Sequence, residues 1–113
     1  MDIITRHVGK VAILDLKGKL TIGEGDVTLR EEFVKVLDGG CNKILINLKG
    51  VKYMDSAGIG ELVGRKVTAN RKEAQVGLLH LHKKLYDLLA VAELVGIFDI
   101  FDNEEEALAS FKP

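Results

Sequence analysis

Asp55-Ser56-Ala57-Gly58-Ile59 lies where an apolar, strand-like run gives way to a helical pattern. Upstream, Ile44 to Leu48 supply the incoming strand. Downstream, Ile59, Leu62, Val63, Lys66, Val67 and Asn70 recur at the spacing of one helix face, polar only at its ends. A helix start leaves its first backbone donors unpaired and carries partial positive charge, so Asp55 or Ser56 is a natural N-cap. The five residues therefore combine a hydroxyl, a neighbouring carboxylate and unobstructed backbone at a point where amide N–H groups face solvent.

Gly58 and Gly60 go beyond what capping explains, because a glycine inside a helix costs about 0.8–1 kcal/mol relative to alanine. Two causes are open for them: close approach by a docking macromolecule, or tight packing of the helix on its own sheet.

On either side of this junction the chain alternates strands and helices. Ile3 to Val8 and Val11 to Leu16, separated by Gly9-Lys10, predict a hairpin. After Gly18 comes an irregular stretch, Thr21-Ile22-Gly23-Glu24-Gly25. Asp26 is then placed to cap a helix with Leu29, Phe33, Val36 and Leu37 on its apolar face, ending near Asp38-Gly39-Gly40. Lys43 to Leu48 is nearly continuous in apolar residues, interrupted by Asn47, as expected of a central strand covered on both faces. The helix from Ser56 runs to about Arg71, and Gln75 to Leu81 predicts another strand. Lys83 to Ala92 predicts a short helix with Leu85, Leu88 and Leu89 inward, followed by a strand at Phe98 to Phe101. Asn103 and Glu106 resemble a capping box, with Glu104 and Glu105 suited to the helix dipole. A last helix packs through Ala107, Leu108 and Phe111. This order predicts an α/β fold: a mixed four- to five-stranded sheet, partly parallel, with about four α-helices and right-handed crossovers.

With 113 residues, 47% of them hydrophobic, the chain has material for one compact domain over residues 1–113. Sixteen basic and 17 acidic side chains, spread along the length to a net charge of −1, give no electrostatic footprint for nucleic acid or an anionic membrane. Cys41 is the only cysteine and makes no internal disulfide, which fits a reducing compartment. No apolar stretch approaches the roughly 20 residues that span a bilayer, and the N-terminus lacks a signal-peptide core, so a cytoplasmic protein is expected. The single proline is Pro113, and no linker divides the chain.

Enzyme chemistry finds little support. Gly58-Ile59-Gly60 lacks the third glycine of a dinucleotide fingerprint, and no glycine-rich loop ends in Gly-Lys-Ser or Gly-Lys-Thr. Ser56 is flanked by Met54 and Gly58 where a nucleophile elbow requires two glycines, and Asp55 is a poor activator for a serine near neutral pH. His80 and His82 share a side if their segment is extended, yet no third metal ligand accompanies them. His7 reads as a surface residue and Cys41 as an incidental turn residue. No cofactor, no metal site and no enzymatic activity are expected.

The octapeptide Asp55-Ser56-Ala57-Gly58-Ile59-Gly60-Glu61-Leu62, set in this order of elements, resembles the STAS domain of bacterial anti-sigma factor antagonists. Gly18-Lys19-Leu20, Leu29-Arg30 and Asn47-Leu48 agree with it in support. The resemblance implies that Ser56 is the serine phosphorylated by a partner kinase that is also the anti-sigma factor. Thr21, Asp55, Ser56, Ala57, Gly58, Ile59, Gly60 and Glu61 then form the partner-binding surface. It implies further that the unphosphorylated form binds the anti-sigma factor and so frees a sigma factor for transcription. A phosphoserine phosphatase would complete the cycle, and a monomer or weak dimer is expected. The chain departs from the family pattern at Thr21, where many members carry Asp. The alternative is a STAS scaffold or sensor subunit in another signalling complex whose Ser56 is never modified.

Overall fold

The computed structural model describes residues 1–113 and shows one five-stranded sheet with four α-helices. The strands are β1 (Asp2–Val8), β2 (Val11–Leu20), β3 (Lys43–Met54), β4 (Gln75–Leu79) and β5 (Asp99–Phe101), and they lie side by side in sequence order. β1 and β2 form the antiparallel hairpin, while β2 to β5 run parallel. The helices are α1 (Asp26–Asp38), α2 (Ser56–Arg71), α3 (Lys83–Val91) and α4 (Glu104–Ser110), with a 3-10 turn at Val95–Ile97.

Alternation along the parallel strands splits the core in two. Leu14, Leu16, Ile44, Ile46, Leu48 and Leu78 join Leu29 and Phe33 of α1, Leu62 and Ala69 of α2, and Leu85 and Leu89 of α3 in the larger cluster. The intervening residues Ile13, Leu45 and Leu79 point to the other face, where Ala107 of α4 covers them with Phe101, Leu108 and Phe111. β3 is the middle strand, and its run from Ile44 to Ile46 is buried on both faces.

Several boundaries differ from the sequence expectation, each for a physical reason. β3 continues past Leu48 to Met54 because its second half pairs with Lys17 to Leu20 of an equally extended β2, through two register shifts. Its pairing with β4 stops at Asn47, so the far end of β2 and β3 is a two-stranded ribbon. β4 stops at Leu79, because His80 takes a left-handed backbone (φ 56°). Asp26 lies inside the first turn of α1 rather than capping it. The cap position is Gly25 at φ 96°, and the Asp26 carboxylate instead accepts from the amides of Gly23 and Val27. α1 ends in a Schellman arrangement: Gly40 is at φ 97°, Gly40 N–H donates to Leu37 and Cys41 N–H to Val36. Leu88 lies on the outer side of α3, whereas Leu85 and Leu89 are buried as expected. Asn103 caps α4 by accepting from the Glu106 amide at 3.0 Å.

Candidate functional site

The outer ends of β2 and β3 finish side by side, Leu20 against Met54, and both chains turn there. After Leu20 the backbone closes a tight loop in which Thr21 N–H donates to Glu24 and Glu24 N–H donates back to Thr21, at 2.8 and 3.0 Å. After Met54, Asp55 takes an extended conformation and α2 begins at Ser56.

Asp55 is the N-cap, and it does more than cap. One carboxylate oxygen accepts from Gly58 N–H at 3.0 Å, satisfying a first-turn donor of α2. The other accepts from Ile22 N–H at 3.2 Å, and Asp55 N–H in turn donates to the Leu20 carbonyl. One side chain thus joins the helix start to a loop 33 residues earlier in the chain. The Gly58 amide, with the Ile22 amide adding to it, holds the Asp55 carboxyl below its ordinary value against the opposing effect of desolvation. Because the folded-state value is the lower one, this contribution is present above about pH 4 and is lost as the pH falls through the folded value. Asp55→Asn should therefore flatten the acid side of the stability profile measured by thermal melts between neutral and strongly acidic pH. A profile that keeps the wild-type slope would remove Asp55 as its source.

Ser56, the first residue of α2, is exposed. Ala57, Ile59 and Thr21 are half-buried and Gly60 is exposed, so these five line the accessible side of the junction. The two glycines separate by role. A Cβ on Gly58 would overlap the Leu20 carbonyl oxygen and come within 2.7 Å of Met54 Cγ, so its smallness serves helix-on-sheet packing. A Cβ on Gly60 would meet no heavy atom within 4 Å, so internal packing asks nothing of that position.

Glu61 points inward. It is 6% exposed and takes a bidentate bond from Arg30 of α1, with Arg65 one turn along α2 at 3.2 Å. Arg65 is itself buried, its guanidinium 5.9 Å from the centroid of the Phe33 ring. Desolvation pulls the Arg65 pKa below its ordinary value, with Glu61 opposing. These charges hold α1 and α2 together beneath the surface. The buried face of α2 is consequently Gly58, Glu61, Leu62, Arg65 and Ala69, not the stripe through Val67 and Asn70, both of which are exposed.

Ile22 carries no polar signal in the sequence, yet its side chain is 76% exposed at the loop whose amide Asp55 holds, and Val27 at the start of α1 is 47% exposed. An isolated apolar residue between Thr21 and Gly23 in an irregular stretch was the available sign. His80 and His82 do not share a strand face: His80 is left-handed, and His82 precedes α3 with Nε2 3.1 Å from the Val51 carbonyl oxygen. No helix is long and apolar enough to cross a membrane.

The fold and this junction define a small α/β interaction domain built around one capped helix start. The family model described as the STAS domain matches residues 2–107, and the chain belongs to that family. An anti-sigma F factor antagonist of Paenibacillus polymyxa is 28% identical over 112 residues, covering 99% of this chain and 96% of its own. The anti-sigma-B factor antagonist of Bacillus subtilis is 30% identical over 92 residues, 81% of this chain and 83% of its own. Among solved structures, the Bacillus cell fate determinant SpoIIAA in its phosphorylated form superposes with a TM-score of 0.73. It covers 96% of this chain and 97% of its own at 21% identity, a likeness of fold.

Proposed function

We propose that this protein is an anti-sigma factor antagonist. Unphosphorylated at Ser56, it binds an anti-sigma factor that is also a serine kinase, and so releases a sigma factor. The observation that carries the reading is the placement of Ser56: an exposed hydroxyl on the first residue of α2, beside an Asp55 carboxylate already committed to backbone amides. The relatives named as antagonists of anti-sigma F and anti-sigma-B factors support it.

In the free form, Thr21, Ser56, Ala57, Ile59 and Gly60 offer a partner a low surface, with Ile22 as an apolar projection beside it. Asp55, Gly58 and Glu61 hold that surface from below. Phosphorylation adds about −1.5 to −2 charges and three acceptor oxygens at Ser56. First-turn amides of α2 and the helix dipole accommodate the phosphate locally, while Asp55 repels it. Little net change in monomer stability follows. A partner packed over Gly60 and Ala57 then meets a bulky dianion, and binding fails through steric and desolvation costs.

Incubating wild type and Ser56→Ala with ATP and native-host lysate, followed by intact-mass and phosphopeptide spectrometry, tests the modification. One phosphate mapping to Ser56 and missing from the variant is the expected result. With the kinase then purified, Ser56→Asp should bind it at least about tenfold more weakly than wild type. No phosphate in the presence of an active kinase would favour the unmodified scaffold or sensor instead.

A further inference from the structure

β1 is the terminal strand of the sheet and is paired to β2 alone. The Gly9-Lys10 turn makes Val8 and Val11 the closing hydrogen-bonded pair, so Arg6, Ile4 and Asp2 also exchange their backbone bonds with β2. Ile3, Thr5 and His7 therefore direct their N–H and C=O groups to the open side. This edge runs seven residues in continuous register, without the proline, lysine or bulge that commonly blunts such strands. On its outer face stand Asp2, Ile4, Arg6 and Val8, with Ile4 69% exposed.

The pattern of side chains selects an occupant. We propose that β1 docks a second copy of this chain, pairing antiparallel about a two-fold axis through Ile4. In that register Ile3 forms a hydrogen-bonded pair with the partner's Thr5, the two Ile4 side chains face each other, and Asp2 stands opposite the partner's Arg6. Asp2 already lies across from Lys17, and Arg6 is bonded to Asp15 and to Glu104 of α4. An Nη1 hydrogen of Arg6 stays uncommitted for the new carboxylate. Charges then alternate in sign from Lys17 across to Asp2 and on to the partner's Arg6, which its own Asp15 and Glu104 hold in place, and symmetry repeats the arrangement on the other side of the axis. Sliding the pairing so that Thr5 lies on the axis instead sets Asp2 against Val8 and Arg6 against Ile4, which forfeits both the charge pairs and the apolar contact.

Sedimentation velocity on the full chain should show the mass rising with concentration from 12.4 kDa toward twice that value. Ile4→Lys, a change at an exposed site, should keep the folded circular dichroism spectrum and stay monomeric. The register has its own test in a Cys41→Ser background. Facing residues in a non-hydrogen-bonded pair have Cα atoms about 4.5 Å apart, within disulfide reach. Ile4→Cys should then cross-link under mild oxidation at least about tenfold faster than Val8→Cys, which stands far along the paired strands from its own copy in this register. A wild-type chain that stays monomeric to about 1 mM, or equal cross-linking rates for the two cysteines, would overturn the proposal.

Discussion

Gly58→Ala is expected to lower stability by about 3 kcal/mol, a fall in melting temperature of about 10 °C. The obstacle to the added methyl is the Leu20 carbonyl, which is backbone and pinned by the Asp55 amide, so no side-chain rotation relieves it. A gain of about 0.8–1 kcal/mol from alanine's helix propensity offsets only part of that cost. Gly60→Ala supplies the contrast, since a methyl there enters open space. It should raise stability by up to about 1 kcal/mol while weakening any partner that packs on α2. Differential scanning calorimetry on the two variants decides the matter, and equal effects of the same sign would mean that the two glycines do not divide the roles described above.

Removing Glu61 should be at least as damaging, and for an electrostatic reason. Glu61→Ala leaves Arg65 buried without its counter-charge, its Nε and Nη1 already lacking hydrogen-bond partners, at an expected cost of about 3–5 kcal/mol in urea titration. The ion pair itself is a poor source of stability, because desolvation opposes it. Arg65→Met, with Phe33 to pack on, should therefore stay within about 1.5 kcal/mol of wild type or exceed it, and adding it to Glu61→Ala should recover most of the loss. If Glu61→Ala proved harmless, the buried charge would not organise the contact between α1 and α2.

These charges also mark the limit of what the sequence disclosed. The strand-to-helix switch at Asp55, the order of elements and the central place of β3 were legible because each rests on a local pattern: an apolar run, a capping residue, a glycine stop. The inward face of α2 was not. Glu61 reads as part of the partner-binding surface, and Arg65 falls outside the predicted apolar stripe, until a residue of another helix, Arg30, is seen to complete the buried cluster, and no spacing within α2 records that partnership. The second half of β3 was hidden in a similar way. Lys49, Gly50 and Lys52 break the apolar run, and what keeps those residues extended is a bulged pairing with β2, a property of two strands rather than of one. At the site, Ser56 and Asp55 were visible, whereas Ile22 entered only through its amide bond to Asp55.

The two-stranded ribbon formed by the outer ends of β2 and β3 has a consequence for divergence within such a domain. Every residue of the junction and its support falls between Leu20 and Arg65, carried on the ribbon, on the turns that end it and on the two helices that follow its strands. Pairing to β4 ends before the ribbon begins, so the segment from Gln75 onward completes the sheet from the far side. Substitutions in α3, β5 or α4 can accumulate under the single demand that the core stays filled. The same fold can in this way keep one site at the start of α2 while its remaining surface is remodelled for a different assembly.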